Sequence, residues 1–174
     1  MLFFKSENEY KKIAIWQNAI PFEVIQNENI KLKIDAKKCL WYQGTICIEV
    51  QLNPRHISNY AMICMRYKKN KNNYTDILIN YGNEGGKMLS ENKLFNKNAI
   101  VGLNREFANA IYEFFRESQL NIPSGSIEII GGAYDVAGSS NYAFKKAMDL
   151  LIYIFENSKN INDKTIGDEL LNRI

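Results

Sequence analysis

Apolar and polar residues alternate twice in the first third of the chain, as Ile30, Leu32 and Ile34 and then as Ile46, Ile48, Val50 and Leu52. This period of two predicts strands over 30–34 and 45–52, each with one buried face. Segments 59–67 and 74–81 are rich in β-branched and aromatic residues on either side of a polar run and read as the two arms of a hairpin. Ahead of them, Ser6 and Glu9 form a capping-box pattern, and Tyr10, Ile13, Ala14 and Gln17 recur at helical spacing up to a break at 18–21. That pattern predicts a short first helix. From Gly82 the chain turns polar as far as Asn98, which predicts a loop.

The period then changes to that of helices. Asn104 can cap a helix reaching about Ser118, with Phe107, Ile111, Phe114 and Phe115 at i, i+4, i+7 and i+8. A short strand over 126–130 runs into Gly131-Gly132. Ser139 or Ser140 caps a long helix to about Asn157, striped by Phe144, Met148, Leu151 and Phe155. Ile166 and Leu170 are spaced to dock a last helix over 163–172. No repeat or linker interrupts the pattern. The prediction is one α+β domain over 1–174, β-rich over 22–98 and helix-strand-helix over 101–157. It would be a two-layer sandwich in which a mixed sheet of four to five strands carries helices on one face.

Composition agrees with a packed domain. The 174 residues are 46% hydrophobic and 24% charged, enough to bury a core without a metal or staples. The longest apolar run, 150–155, is far too short for a membrane-spanning helix, and no membrane partner is expected. At the start, apolar residues precede the first charge, the wrong order for a secretory signal. Cys39, Cys47 and Cys64 cannot all pair within one chain, and none forms a metal-binding doublet, so a reducing cytoplasm fits. Cys47 and Cys64 lie in strand-like runs, where a free thiol acts as a small hydrophobe. His56, the lone histidine, follows a turn signal and reads as a solvated loop residue. No metal or cofactor is expected.

Charge is unevenly spread. Residues 1–98 hold 15 Lys and Arg against 9 Asp and Glu, whereas residues 99–174 hold 7 against 10, so the positive surplus sits in the β-rich half. Its densest run is 66–74, where Arg66, Lys68, Lys69 and Lys71 alternate with Tyr67 and Tyr74. A basic hairpin tip of this kind can neutralise phosphates while its tyrosines stack on bases; it can equally be a solvated turn that keeps a β-edge soluble.

Catalytic patterns fail on their spacing. The 82–87 loop has the wrong glycine spacing for a phosphate loop, and Met88 follows Lys87 where Ser or Thr must reach magnesium. Residues 137–141 lack the second glycine of a nucleophile elbow. Glu113 and Glu117 share a helix face with no partner base and read as solvated charges.

Segment 101–155 carries more information. Gly102-Leu103-Asn104-Arg105-Glu106-Phe107, then Pro123-Ser124-Gly125, then Tyr134-x-x-x-x-Ser139-Ser140-x-x-Ala143-Phe144 resembles domain IV of elongation factor G, and 44–54 looks like that family's earlier strand. The resemblance implies a left-handed β-α-β crossover, Tyr134 packed on the helix layer, Ser139 or Ser140 capping the second helix, and Phe144 anchoring it. In that family the loop after the tyrosine commonly carries His then Asp and enters the decoding region of the small ribosomal subunit. Here Asp135 and Val136 stand in those positions, and Gly138 replaces the aspartate before the serine pair. A GTP-hydrolysing domain is absent from the chain. The function expected is therefore a stand-alone, non-catalytic module that binds structured RNA or the ribosome. A protein-interaction or oligomeric structural domain is the alternative. A third reading comes from metabolite kinases, whose glycine-serine-serine phosphate turn is similar to Gly138-Ser139-Ser140; it makes Asp135, Gly138, Ser139 and Ser140 an anion-site candidate in a small-molecule enzyme.

Overall fold

The structure, a computed structural model, describes residues 1–7, 10–25, 28–52, 59–82, 85–89, 94–157 and 164–174. Glu9, His56, Asp163 and parts of the 82–98 loop lie outside the described residues. The strands are β1 (Leu2–Lys5), β2 (Lys11–Gln17), β3 (Glu28–Asp35), β4 (Gly44–Leu52), β5 (Tyr60–Lys69), β6 (Tyr74–Tyr81), β7 (Ile100–Val101) and β8 (Gly125–Tyr134). The helices are α1 (Arg105–Glu117), α2 (Asn141–Asn157) and α3 (Lys164–Arg173). The strands form one mixed sheet in the order β1-β2-β4-β5-β8-β6-β3, with β7 paired to the end of β8. Among the described strands, only β6 and β8 pair in parallel. The fold is α+β, and its sheet has eight described strands where the hydrophobic pattern predicted four to five.

The first correction concerns β2, expected as a helix. Ile13, Ala14, Ile15 and Trp16 are all buried. Four consecutive buried residues suit a strand covered on both faces: Ile13 and Ile15 enter the core beneath the helices, and Ala14 and Trp16 enter a cluster on the opposite face. Ser6, expected as a cap, instead closes the turn between β1 and β2, its hydroxyl accepting from the Lys11 N–H at 3.1 Å. The helical spacing was a coincidence within a continuous apolar run.

The second correction concerns the hairpin. β5 and β6 do not pair with each other; β8 lies between them, antiparallel to β5 and parallel to β6. Ile127 and Ile129 of β8 face the helices. A register shift opposite Cys64 and Met65 leaves Ile130 as an extra residue, turned into the opposite cluster. The strand also runs on through Gly131-Gly132, where the sequence suggested it would stop. A Cβ on Gly132 would collide with the Met62 carbonyl, so the glycine permits the strand approach.

The helices follow their sequence signals closely. Asn104 caps α1, its Oδ1 accepting from the Phe107 N–H at 3.0 Å, and the Ser140 hydroxyl takes the Ala143 N–H at 3.2 Å at the start of α2. Phe144, Met148, Leu151 and Phe155 are each fully buried, worth about 1.5–3 kcal/mol of transfer free energy apiece. Phe144 stacks on Phe107 at 4.3 Å, and Tyr134 lies 5.5 Å from the same ring. Ile166 and Leu170 bring α3 onto the same core. All three helices thus lie on one face, packing into a single cluster.

The other face is not bare, as a two-layer sandwich would leave it. Loop residues Ile20, Met88, Leu94, Phe95 and Ala99 cover a second cluster that includes Trp16, Phe22 and Met62. Within it Cys47 and Cys64, opposite each other on β4 and β5, are joined as a disulfide, which corrects the reading of both as free thiols. Replacing Gly132 by Ala is expected to lower stability by about 1–3 kcal/mol through overpacking, seen as a lower urea midpoint. An unchanged midpoint would mean that the strands are not this close at Gly132.

Candidate nucleic-acid interface

Three loops meet at one end of the sheet: 36–40 after β3, 70–73 between β5 and β6, and 121–124 before β8. The Ala36 N–H donates to Asn73 O, the Lys37 N–H to Ile122 O and the Asn70 N–H to Ser124 O. Side chains reinforce the junction: the Ser124 hydroxyl donates to Asn70 O and the Asn70 amide to Gly125 O. Thr75, fully buried, donates to Pro123 O at 2.6 Å. The backbone here is held by reciprocal hydrogen bonds, so the side chains it carries start from fixed positions.

Lysines from two of these loops and from the adjoining strand ends gather around the junction. Lys68, Lys69 and Lys71 are exposed, and among the described residues none of them makes an ion pair. Lys37 and Lys38 are exposed on the adjoining loop. Lys33 completes the set: it opposes Asp76 across β3 and β6, and the next residues in that row are Ser126 and Lys68. Its ammonium sits 3.9 Å above the Tyr74 ring and 3.8 Å from the Asp76 carboxylate. Six lysines therefore share this end, with Asp35 and Asp76 among them and Glu156 near Cys39 of the 36–40 loop. Beside them lies a cleft of about 450 Å³, lined by Ile34, Asp35, Lys37, Phe115, Arg116 and Asn121 among others.

Two residues singled out in the sequence belong elsewhere. Arg66 is on the sheet face away from the helices, its Nη1 2.9 Å from Glu128 Oε2 and its Nε donating to the Thr45 hydroxyl at 3.1 Å. Asn80 donates to the other Glu128 oxygen, so Arg66 is part of an internal polar row. Tyr67 is buried, edge-on to Trp41 at 5.6 Å, with its hydroxyl donating to Ser124 O. Its ring is unavailable for stacking on a base, which corrects the sequence assignment; Tyr74, partly exposed, keeps that option. Lys33, Lys37 and Lys38 were passed over because they are distant in sequence from 66–74, although the doublet Lys37-Lys38 directly after a strand was a usable signal.

The Gly138-Ser139-Ser140 turn is at the opposite end of β8, and its polar groups are already engaged. The Ser139 hydroxyl donates to Tyr60 O at 2.7 Å and accepts from the Asp135 N–H at 2.9 Å, while the Ser140 hydroxyl caps α2. Asp135 accepts from the Ala137 N–H, the Gly138 N–H and the Asn96 amide. Burial would raise its carboxyl, but these donors outweigh burial and hold it below the ordinary aspartate value of 3.8. A phosphate at this turn would have to displace a carboxylate from the same N–H groups. No three His, Cys, Asp or Glu side chains converge as a metal site among the described residues, and no described helix is long and apolar enough to cross a membrane.

No family model, curated protein or solved structure matches the chain.

Because the Asp135 pKa is depressed on folding, its contribution to stability is present above about pH 3.8 and is lost as pH falls through the folded value. Urea denaturation should find Asp135→Asn less stable than the parent at pH 7, with a smaller difference at about pH 3, below the ordinary aspartate value. An equal deficit at both pH values would show that the charge plays no part.

Proposed function

We propose that the chain is a non-catalytic RNA-binding module that docks on structured RNA such as the ribosome through the lysine-rich end of its sheet; the Cys47–Cys64 disulfide removes the free-thiol argument for a reducing cytoplasm. The observation that carries this reading is the gathering of Lys37, Lys38 and Lys71 on hydrogen-bonded loops with Lys33, Lys68 and Lys69 on the strands that lead into them. Phosphate contacts of this kind are long-ranged and independent of sequence. The neighbouring cleft and the partly exposed Tyr74 supply places for an unstacked base. The likeness of 101–155 to domain IV of elongation factor G supports the same reading and would make the β6-α1-β8 crossover left-handed. The disulfide joins two strands already paired by backbone hydrogen bonds, so the proposed interface does not depend on it.

A second reading, a protein-interaction or self-associating domain, draws on Phe3, which is 47% exposed on edge strand β1 and packs edge-on against Phe95. Sedimentation at two protein concentrations separates a monomer from a self-associating chain. The phosphate-turn enzyme has the least support, since the turn's hydroxyls and N–H groups already have protein partners.

Filter binding to a structured RNA across a salt series tests the main reading. Affinity should fall steeply with salt. The triple variant Lys68→Ala, Lys69→Ala, Lys71→Ala should flatten the slope of log K against log salt by about 0.7–0.9 per lost contact, or roughly 2–3 overall. Arg66→Ala should leave the slope unchanged and lower stability instead, because it strands Glu128. Absent or salt-insensitive binding would remove the RNA reading.

A further inference from the structure

Glu49 stands mid-strand in β4 on the face away from the helices, opposite Ala14 of β2 and Met62 of β5. It is fully buried. Its Oε1 accepts from the Tyr60 hydroxyl at 2.9 Å and from the Phe95 backbone N–H at 2.6 Å, and the Asn96 N–H also faces the carboxyl, while no donor makes a hydrogen bond of normal geometry to Oε2. Phe95 belongs to segment 94–99, whose Leu94, Phe95 and Ala99 roof the second apolar cluster. The carboxyl is therefore a direct link between the sheet and its loop cover, and one of its oxygens lacks the hydrogen bonds that an ionised group needs.

The surrounding charges do not relieve it. Tyr60 touches Glu49 and is itself pushed well up by burial, then by Glu49 and Asp135. Asp135 meets Tyr60 from the β8 side. By strand alternation Lys12 of β2 shares this face opposite Gln51, with Lys5 of β1 opposite Lys12. Among the covering segments, Glu23, Lys87 and Lys97 are exposed. Burial pushes the Glu49 carboxyl up to about 7 against the opposing donors Phe95, Tyr60 and Asn96, and no charged neighbour contributes.

We propose that Glu49 is a proton-operated latch on segment 94–99: when neutral it lets the segment close over the sheet, and when ionised it draws in water and loosens that cover. The closed state binds the proton more tightly than an opened, hydrated one, whose carboxyl would return to its ordinary value of 4.5. Opening should thus increase about tenfold per pH unit as pH rises from about 4.5 to about 7, then level off. The segment is clamped in mild acid and looser at neutral pH. What opening uncovers is the apolar cluster around Ala14, Met62 and Val101, so the same change sets how much of this face can meet another surface. The latch is independent of the lysine-rich end and of the RNA reading.

Hydrogen exchange of the Phe95 amide, divided by its intrinsic rate at each pH, reads the opening directly. The parent should lose protection about tenfold per unit between pH 5 and 7 and little above that. Glu49→Gln keeps an acceptor for Phe95 and Tyr60 but cannot ionise, so its protection should stay flat. Should that variant fail to fold, Tyr60→Phe serves in its place: removing a donor that favours the charged form should extend the loss of protection to higher pH. Flat protection in the parent, the parent's slope retained in Glu49→Gln, or an unmoved window in Tyr60→Phe would each overturn the latch.

Discussion

The insertion of β8 between β5 and β6 is the constraint on which the rest of the structure depends. Two consecutive strands joined by only the residues between Lys69 and Tyr74 would ordinarily pair. Here they stand one strand apart, about 9–10 Å, twice the usual spacing. The four-residue link must therefore span two spacings, and the start of β8 fills the opening beneath it. Gly125 is what fits there, since a Cβ would strike both the Tyr67 ring and the Lys68 carbonyl. The hydrogen bonds of Asn70 and Ser124 across this junction fix the splayed link in place. A wide, tethered tip carrying Lys68, Lys69 and Lys71 is the local result.

The same insertion sets the two faces of the sheet. With Ile127 and Ile129 on one side and the bulged Ile130 on the other, β8 contributes to both clusters. The helical side is closed by three amphipathic helices whose stacked aromatics, Phe107 on Phe144, leave little to adjust. The opposite side is closed by loop segments that bury fewer apolar groups, and it holds the one fully buried carboxylate among the described residues, Glu49. Stability is accordingly unequal across the sheet: a packed helical layer and a looser cover attached through a titratable group.

Local pattern made much of this fold legible and left the non-local part hidden. Asn104 with the Phe107, Ile111, Phe114 spacing located α1, Ser140 with Phe144 and Met148 located α2, and β3 and β4 announced themselves by alternation. The reading of 10–17 as helical went wrong because Ile13, Ala14, Ile15 and Trp16 contain both periods at once, and only burial on two faces decides between them. Residues 2–5 were too few to register as a strand. The pairing of β8 could not be read, because strand neighbours are chosen by the whole sheet while turn chemistry speaks only for adjacent segments. At the candidate interface the lysines of 68–71 were visible, but Arg66 and Tyr67 were misread because their ionic and core partners, Glu128 and Trp41, are remote in sequence. Glu49, in the polar phase of an alternating strand, was not singled out; the clue was Leu94 and Phe95, two large apolar residues in an otherwise polar loop.

The central claim is the order β5-β8-β6. Nuclear Overhauser contacts between backbone protons of neighbouring strands test it most directly. The fold predicts contacts from Ile127 to Tyr67 on one side and to Ile77 on the other, with none directly between β5 and β6. Cross-strand contacts joining Tyr67 to Thr75, with β8 lying elsewhere, would contradict it.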